Sequence, residues 1–381
     1  MSRAYLDHAS TSPARPGVVE AMWSWLGFAA DPGRAHHEGH EARAAVELAR
    51  QQVGDLLGAR PREVVFTSGA TEAIAAAVWG AAGRGPHQVV TAVEHSAVRD
   101  AAARHDVTVV AVDGLGRVSP SAVAAAVRPG ETAAVHVQWA NHEVGTVQPV
   151  REVVEACRER GVLVHVDAAA AAGHVAVDFA ATGADLMSVS AHKLGGPQGV
   201  GALVVRRGLR LEPLLVGGQQ ERGRRAGMEN VAGIVGFGAA AAHIAAGGLE
   251  AEAERQLQLT GTALAGALAV PGVVAYGDTS PGGRLPHIVC LGVEGVEAEA
   301  VLLGLDQAGV AVHSGSACSS ESLEPSPVLE AMGVDAARSL RVSVGWSTTE
   351  QDVAAFARAL PAVVGRLRSL GRAGAEGRPR A

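Results

Sequence analysis

Residues 63–205 alternate short apolar runs with Ala-rich helical segments, and this alternation limits the possible folds more than any other feature of the chain. The runs are E-V-V-F-T, Q-V-V-T-A, V-T-V-V-A-V, T-A-A-V-H-V, V-L-V-H-V, D-L-M-S-V and G-A-L-V-V, and each reads as a buried strand. Helical stretches at 71–82, 96–104, 119–127 and 150–160 follow several of them. Strands that are apolar on both faces and separated by helices predict a mostly parallel sheet with helices on both sides, an α/β fold. Ligands of such sheets sit beyond the carboxyl ends of the strands, so the chemistry is expected just after each run.

Flanking segments complete the plan. Residues 40–58 carry a helical apolar pattern, and 228–269 read as helical with a charged patch inside. Shorter runs follow: G-V-V-A-Y, H-I-V-C-L-G-V, a helix over 296–308, V-A-V-H, S-L-R-V-S-V and a last helix from about 349. These predict a second, smaller α+β unit. The expected division is a large domain over 15–249, a small domain from 1–14 and 250–369, and a disordered tail over 370–381.

Composition narrows the function. Hydrophobic residues make up 48% and charged residues 19% of 381 positions, which suits a globular protein. The net charge of −7 without a basic tract argues against nucleic acid as the main partner. The opening M-S-R-A-Y-L-D-H has no apolar run like that of a secretory leader, and the apolar run at 231–242 is too short to span a bilayer, so no membrane partner is expected. Cys157, Cys290 and Cys318 are far apart and odd in number, which predicts a reducing, cytoplasmic setting. His36, His37 and His40 are expected in a loop near a pocket, without the companion ligands of a metal site.

Lys193 is the single lysine of the chain, beside 31 arginines (32 basic residues less one). Lysine can lose its proton and form a Schiff base with a carbonyl, which arginine cannot. It lies in S-A-H-K-L-G-G, at a strand end that feeds a Gly-rich turn. Other strand ends supply complementary groups. Ser68, Gly69, Ala70 and Thr71 open a helix whose N–H groups can face an anion. His95 follows V-V-T-A-V, where it can stack on a ring and move protons. Asp167, at the end of V-L-V-H-V, needs a cationic partner such as an arginine or a pyridinium nitrogen. A Schiff-base lysine, an acid for a pyridinium and a helix start for a phosphate together describe pyridoxal 5'-phosphate, PLP. In the second unit, Cys318 stands among Ser and Gly outside any periodic run, as an accessible nucleophile would. Arg341 sits in an apolar strand, either as a buried ion-pair partner or as a clamp for a substrate carboxylate.

These segments resemble the NifS/IscS-type cysteine desulfurases, within the class V aminotransferase-like, fold-type I PLP enzymes. The matching pieces are Y-L-D-H-A-S-T-S-P, F-T-S-G-A-T-E-A, E-H-S-A-V, N-H-E-V-G-T-V-Q-P, H-V-D-A, S-A-H-K-L-G-G-P-Q-G-V-G-A-L, E-R-G-R-R-A-G-M-E-N, S-G-S-A-C-S-S and R-V-S-V-G-W-S-T-T-E. The resemblance implies catalytic roles for Lys193, Cys318 and His95. It implies PLP held by Lys193, with Asp167 on the pyridine nitrogen and His95 on the ring. Thr71, Ser190 and His192, with the Ala70 backbone, would bind the phosphate. Arg341 would take the carboxylate of L-cysteine, and Cys318 would receive its sulfur as a persulfide, releasing L-alanine. A homodimer and a sulfur-acceptor protein are also implied. The chain departs from the family at His142 (usually Asn), Ala170 (usually Gln), Met228 (usually Thr) and Ile74 (usually polar), and its early loop reads Asp31-Pro32-Gly33-Arg34. His142 is therefore expected to replace a lateral cofactor contact. A related PLP-dependent C–S lyase or aminotransferase acting on another amino acid, and a non-catalytic scaffold of the same fold, are the alternatives.

Overall fold

The computed structural model describes residues 3–29, 31–314 and 325–376. All seven expected runs are strands of one sheet, in the spatial order Val64–Thr67, Gly201–Val205, Leu186–Ser190, Leu163–Asp167, Thr132–Gln138, His87–Thr91, Asp106–Val110. Gly201–Val205 runs antiparallel to both its neighbours, and the other pairs are parallel. Six of the seven strands thus end at the same edge, because each parallel strand is reached through a crossover that returns the chain to the opposite side. The class is the expected α/β one.

Helices close both faces. Along His37–Leu56 the buried residues Ala42, Val46, Ala49 and Val53 recur every three or four positions, the spacing of one helix face. That face packs on Val231–His243. Gly238 permits the contact, since a Cβ there would stand 2.6 Å from Ala49 Cα. Helix Pro16–Leu26 packs on the same partner, and Pro16 occupies its first position, where a missing N–H is harmless. Val231–His243 continues through a π turn with Gly247 at φ 104° into Leu249–Leu268. This run is long and apolar enough to cross a membrane by length and composition, unlike the shorter span read from sequence, yet half of its most apolar window is buried in the protein.

A second apolar cluster forms around a four-stranded antiparallel sheet ordered His313–Ser314, Ser339–Ser343, Ile288–Val293, Val273–Tyr276. Helices Leu249–Leu268, Ala298–Gln307 and Glu350–Glu376 cover it. Ala4–Tyr5 pairs in parallel with Val310–Ala311, which brings the chain start into this unit, and Ala4 and Leu6 join its core.

Two local expectations need correction. His37 and His40 belong to a helix, which begins at His37 with His36 as its N-cap: the His36 ring accepts the Gly39 N–H at 3.2 Å, so the loop stops earlier than its polar composition suggests. No cluster of metal ligands occurs among the described residues. The last helix continues to Glu376, past the point where the tail was expected to lose order.

Candidate active site

The carboxyl edge of the large sheet opens on a cavity of about 500 Å³. Ala70, Thr71, His95, His142, Asp167, Ser190, His192, Lys193 and Arg341 all line it, although the sequence scatters them over 272 positions (341 less 70, plus one). Cys318, the expected nucleophile, lies outside the described residues. Cys157 and Cys290 are buried, and burial pushes their thiols up to about 11 and about 12, as fits small core residues.

At one end stands the start of helix Ala70–Ala82. Gly69 caps it without any side-chain hydrogen bond, so first-turn N–H groups point outward uncapped. The approach of this loop depends on Gly201, where a Cβ would sit 2.6 Å from Val189 O and 2.7 Å from Gly69 C. Ser190 ends strand Leu186–Ser190 beside it, and its Oγ is buried without a hydrogen-bond partner. An orphaned buried hydroxyl next to an uncapped helix start is the donor set an anion requires. His192 Nδ1 and Thr11 Oγ1 are 3.0 Å apart, and burial, aided by Lys193, lowers the His192 pKa to about 4.

Lys193 follows on the short 3₁₀ turn His192–Leu194. Gly195, at φ 84°, ends this turn in a left-handed conformation that favours glycine. The Lys193 carbonyl accepts a bond from His174 Nε2 at 3.2 Å, which fixes the backbone beneath the amine.

Asp167 occupies the C-terminus of its strand. Its Oδ1 accepts from Ala169 N–H at 3.0 Å and lies 3.2 Å from the Ser188 hydroxyl oxygen. Burial raises its pKa, opposed by the Ala169 N–H, Lys193 and Ser188.

His95 caps helix Ser96–Ala102 through Nδ1, which accepts the Ala97 N–H at 3.0 Å. Its neutral ring therefore carries the proton on Nε2. Burial, with repulsion from His142, Lys193 and Arg99, pushes the pKa down to about 2. The His142 ring meets it edge-on, with centroids 4.9 Å apart at 64°.

Arg341 combines the two readings of its sequence context. Its Nη2 donates to Asp7 Oδ1 at 2.9 Å and to Ser10 Oγ at 2.7 Å, and Nη1 donates to the His142 carbonyl at 2.8 Å. It is a buried ion-pair partner that also faces the cavity, and its Nε has no hydrogen-bond partner.

Of the departures, Ala170 and Ile74 line the cavity, whereas Met228 is 64% exposed and borders a neighbouring hollow with Ser68 and Gly199. Gln138 also lines the cavity and was not singled out in the sequence. It ends strand Thr132–Gln138, one residue beyond the run read from apolar pattern alone, and the strand-end rule applied to the full strand would have found it.

The fold and this arrangement are those of a PLP-dependent transferase. The chain belongs to the aminotransferase class-V family, which it matches over residues 4–356. A cysteine desulfurase from Trichormus azollae is 40% identical over 386 aligned positions, spanning 97% of this chain and 95% of that protein. A solved NifS-like protein superposes with a TM-score of 0.88 at 31% identity, covering 96% of this chain and 100% of its own. A structure described as SspA in complex with cysteine superposes at 0.80 with 30% identity, covering 91% of this chain and 100% of that one. Enzymes of this family depend on PLP. The uncapped helix start, the orphaned Ser190 hydroxyl and the buried Asp167 carboxyl fit that group's phosphate and ring nitrogen.

Proposed function

We propose that the protein is a PLP-dependent cysteine desulfurase that converts L-cysteine to L-alanine and forms a persulfide on Cys318. The observation that carries this is the convergence of Lys193, Asp167, His95, Ser190, Arg341 and the start of helix Ala70–Ala82 on one cavity. When bound, PLP supplies a carbonyl for Schiff-base exchange and a ring that withdraws electrons from the substrate Cα. Lys193 holds the cofactor. The Thr71 and Ala70 N–H groups, with Ser190 and His192, hold its phosphate. Asp167 keeps a positive charge on the ring nitrogen favourable. His95 covers the ring and, neutral with its proton on Nε2, is set to pass a proton at that atom. Arg341 attracts the substrate carboxylate in competition with Asp7.

The Cys318 thiolate attacks the sulfur of L-cysteine. The electron pair of the broken C–S bond remains on carbon, which takes up a proton, so the thiol gains a sulfur atom without an added oxidant. The same reading includes a homodimer, a sulfur-acceptor protein that collects the persulfide, a cytoplasmic setting, and residues 15–249 as the cofactor-binding domain, with the small domain carrying the Cys318 loop.

His142 and Ala170, both on the cavity wall, favour one second reading, a related C–S lyase or aminotransferase on another amino acid. L-cysteine turnover followed by mass analysis separates the two. A peptide containing Cys318 heavier by one sulfur atom, with L-alanine released, supports the desulfurase. Turnover indifferent to Cys318→Ala rejects it in favour of the second reading. Failure to bind PLP would leave only a scaffold role.

A further inference from the structure

Asp167 is the end of a buried polar chain that the roles above do not use. Gln88 Oε1 and His136 Nε2 are 2.9 Å apart, His136 Nδ1 and His165 Nδ1 3.0 Å, His165 Nε2 and Ser188 Oγ 3.1 Å, and Ser188 Oγ and Asp167 Oδ1 3.2 Å. The chain crosses four adjacent strands of the large sheet, at Gln88, His136, His165 and Ser188, whose side chains are wholly buried. Register accounts for two of the links, since His136 pairs with His165 and Asp167 with Ser188.

Both rings are neutral, because burial lowers His136 to about 4 and His165 well below its ordinary value. A neutral imidazole has one N–H and one bare nitrogen. One proton must lie between the two Nδ1 atoms, so the tautomers are locked together and only two orders are self-consistent. In the first, His136 Nε2–H donates to the Gln88 carbonyl, His165 Nδ1–H donates to His136, and the Ser188 hydroxyl donates to His165. Ser188 then has no proton for Asp167, whose carboxyl must be protonated to make the bond. In the second, every bond is reversed. The Gln88 amide donates to His136 Nε2, His136 Nδ1–H to His165, His165 Nε2–H to Ser188, and the Ser188 hydroxyl to an ionised Asp167.

The surroundings of Gln88 favour the second order. With Oε1 toward His136, the amide nitrogen is buried with no partner. A half-turn of the amide gives that nitrogen an acceptor and leaves a carbonyl oxygen under-satisfied, the milder defect. The second order also gives Oδ1 two donors, the Ser188 hydroxyl and the Ala169 N–H, which a carboxylate accepts more strongly than a neutral acid.

We propose that Gln88, His136, His165 and Ser188 are positioning residues whose shared proton order ends in donation to Asp167, holding it as the carboxylate. This holds for the chain itself. Its effect on cofactor binding rests on the proposed PLP function.

Two measurements test it separately. Long-range ¹H–¹⁵N correlation on histidine-labelled protein at neutral pH reads each ring's tautomer, with His136→Asn and His165→Asn used only to assign peaks. The expected result is His136 protonated at Nδ1 and His165 at Nε2; the reverse pair overturns the proposal, and this arm needs no bound cofactor. The second measurement is the dissociation constant of PLP added to cofactor-stripped protein. Ser188→Ala is expected to weaken it about ten-fold, the loss of one hydrogen bond to a charged group, with Ser188→Thr restoring it. Unchanged affinity in Ser188→Ala overturns the link to Asp167. Absence of PLP binding by the unaltered protein refutes the proposed function, whereas reversed tautomers refute the proton order.

Discussion

The two sheets treat buried polar groups in opposite ways. In the seven-stranded sheet, polar side chains run through the interior from Gln88 to Asp167 and gather at the carboxyl edge as Asp167, Ser190 and Lys193. Among the described residues the four-stranded sheet contributes Arg341 alone to the cavity, with its charge already opposed by Asp7. Strand direction explains the contrast. Parallel strands place every carboxyl end on one edge, so each crossover can deliver a functional group to the same place. Antiparallel strands send alternate ends to opposite edges, and the sheet offers an isolated residue. The large sheet therefore builds most of the site, and the small one adds a single charge to its wall among the described residues.

The most severe challenge to this contrast is at Lys193. Lys193→Ala, and equally Lys193→Arg, is expected to lower L-cysteine turnover by about three orders of magnitude or more, because neither side chain can form the Schiff base. Steady-state alanine release measures it, and retained turnover would remove the large sheet from the centre of the chemistry.

The next effect is on stability. Glu221 receives Arg50 at 2.6 and 2.9 Å and the Phe66 N–H at 3.0 Å, tying helix His37–Leu56 to the edge strand Val64–Thr67. Both side chains are buried, so Glu221→Ala leaves the Arg50 guanidinium with only the half-exposed Glu47 carboxylate and the Val64 carbonyl, and is expected to destabilise by about 3 kcal/mol in denaturant unfolding. A loss below about 1 kcal/mol would mean that this edge is held by apolar packing alone.

The small sheet's contribution is tested by Arg341→Met, expected to raise KM about ten-fold or more, with the loss of a charge-assisted carboxylate contact of about 1.5–3 kcal/mol. A fall in kcat at constant KM would instead make Arg341 a support for His142 and Asp7.

The pH dependence of stability follows from the buried histidines. Burial lowers His8, His136 and His192 to about 4 and His95 to about 2. A histidine with a depressed folded pKa leaves the unfolded chain binding more protons. Its stabilising contribution is thus full above about 6.5 and declines as pH falls toward the folded value, by up to about 1.4 kcal/mol per pH unit for fully buried His136. Glu94 and Glu143, raised by burial to about 8 and about 7, act in the opposite sense and favour the folded state toward acid pH. With histidines in the majority, the urea midpoint is expected to fall from pH 7 to pH 5, and a rise would show that the carboxyls dominate.

The smallest expected effect is at the altered flank. His142→Asn is expected to move the pH midpoint of the bound cofactor's visible absorption by about one unit, since one interaction worth about 1.4 kcal/mol shifts a pKa by that amount. An unchanged midpoint in both this variant and Ala170→Gln would make these departures electronically silent.

Much of this was legible in the order of residues. Seven apolar runs became the seven strands: six are buried throughout and leave an uninterrupted hydrophobic signature, and the edge strand Asp106–Val110 keeps an apolar run although Val109 is exposed. Helix Pro16–Leu26 was missed because Val19, Trp23 and Leu26 remain exposed beside buried Val18, which blurs any single apolar face. The reversal of Gly201–Val205 was also illegible, since direction leaves no mark on an apolar run.

The sequence by itself determined which side chains are available: one lysine, an acid and a histidine at strand ends, small residues opening a helix, and an arginine in an apolar strand. Each was readable because local pattern decides where a strand or helix stops. Only the tertiary structure decided their partners. Arg341 meets Asp7 across 334 positions, and His136 meets His165 through strand register. Such pairings depend on sheet order and on the offset between neighbouring strands, which are set by packing of the whole core rather than by any segment of the chain.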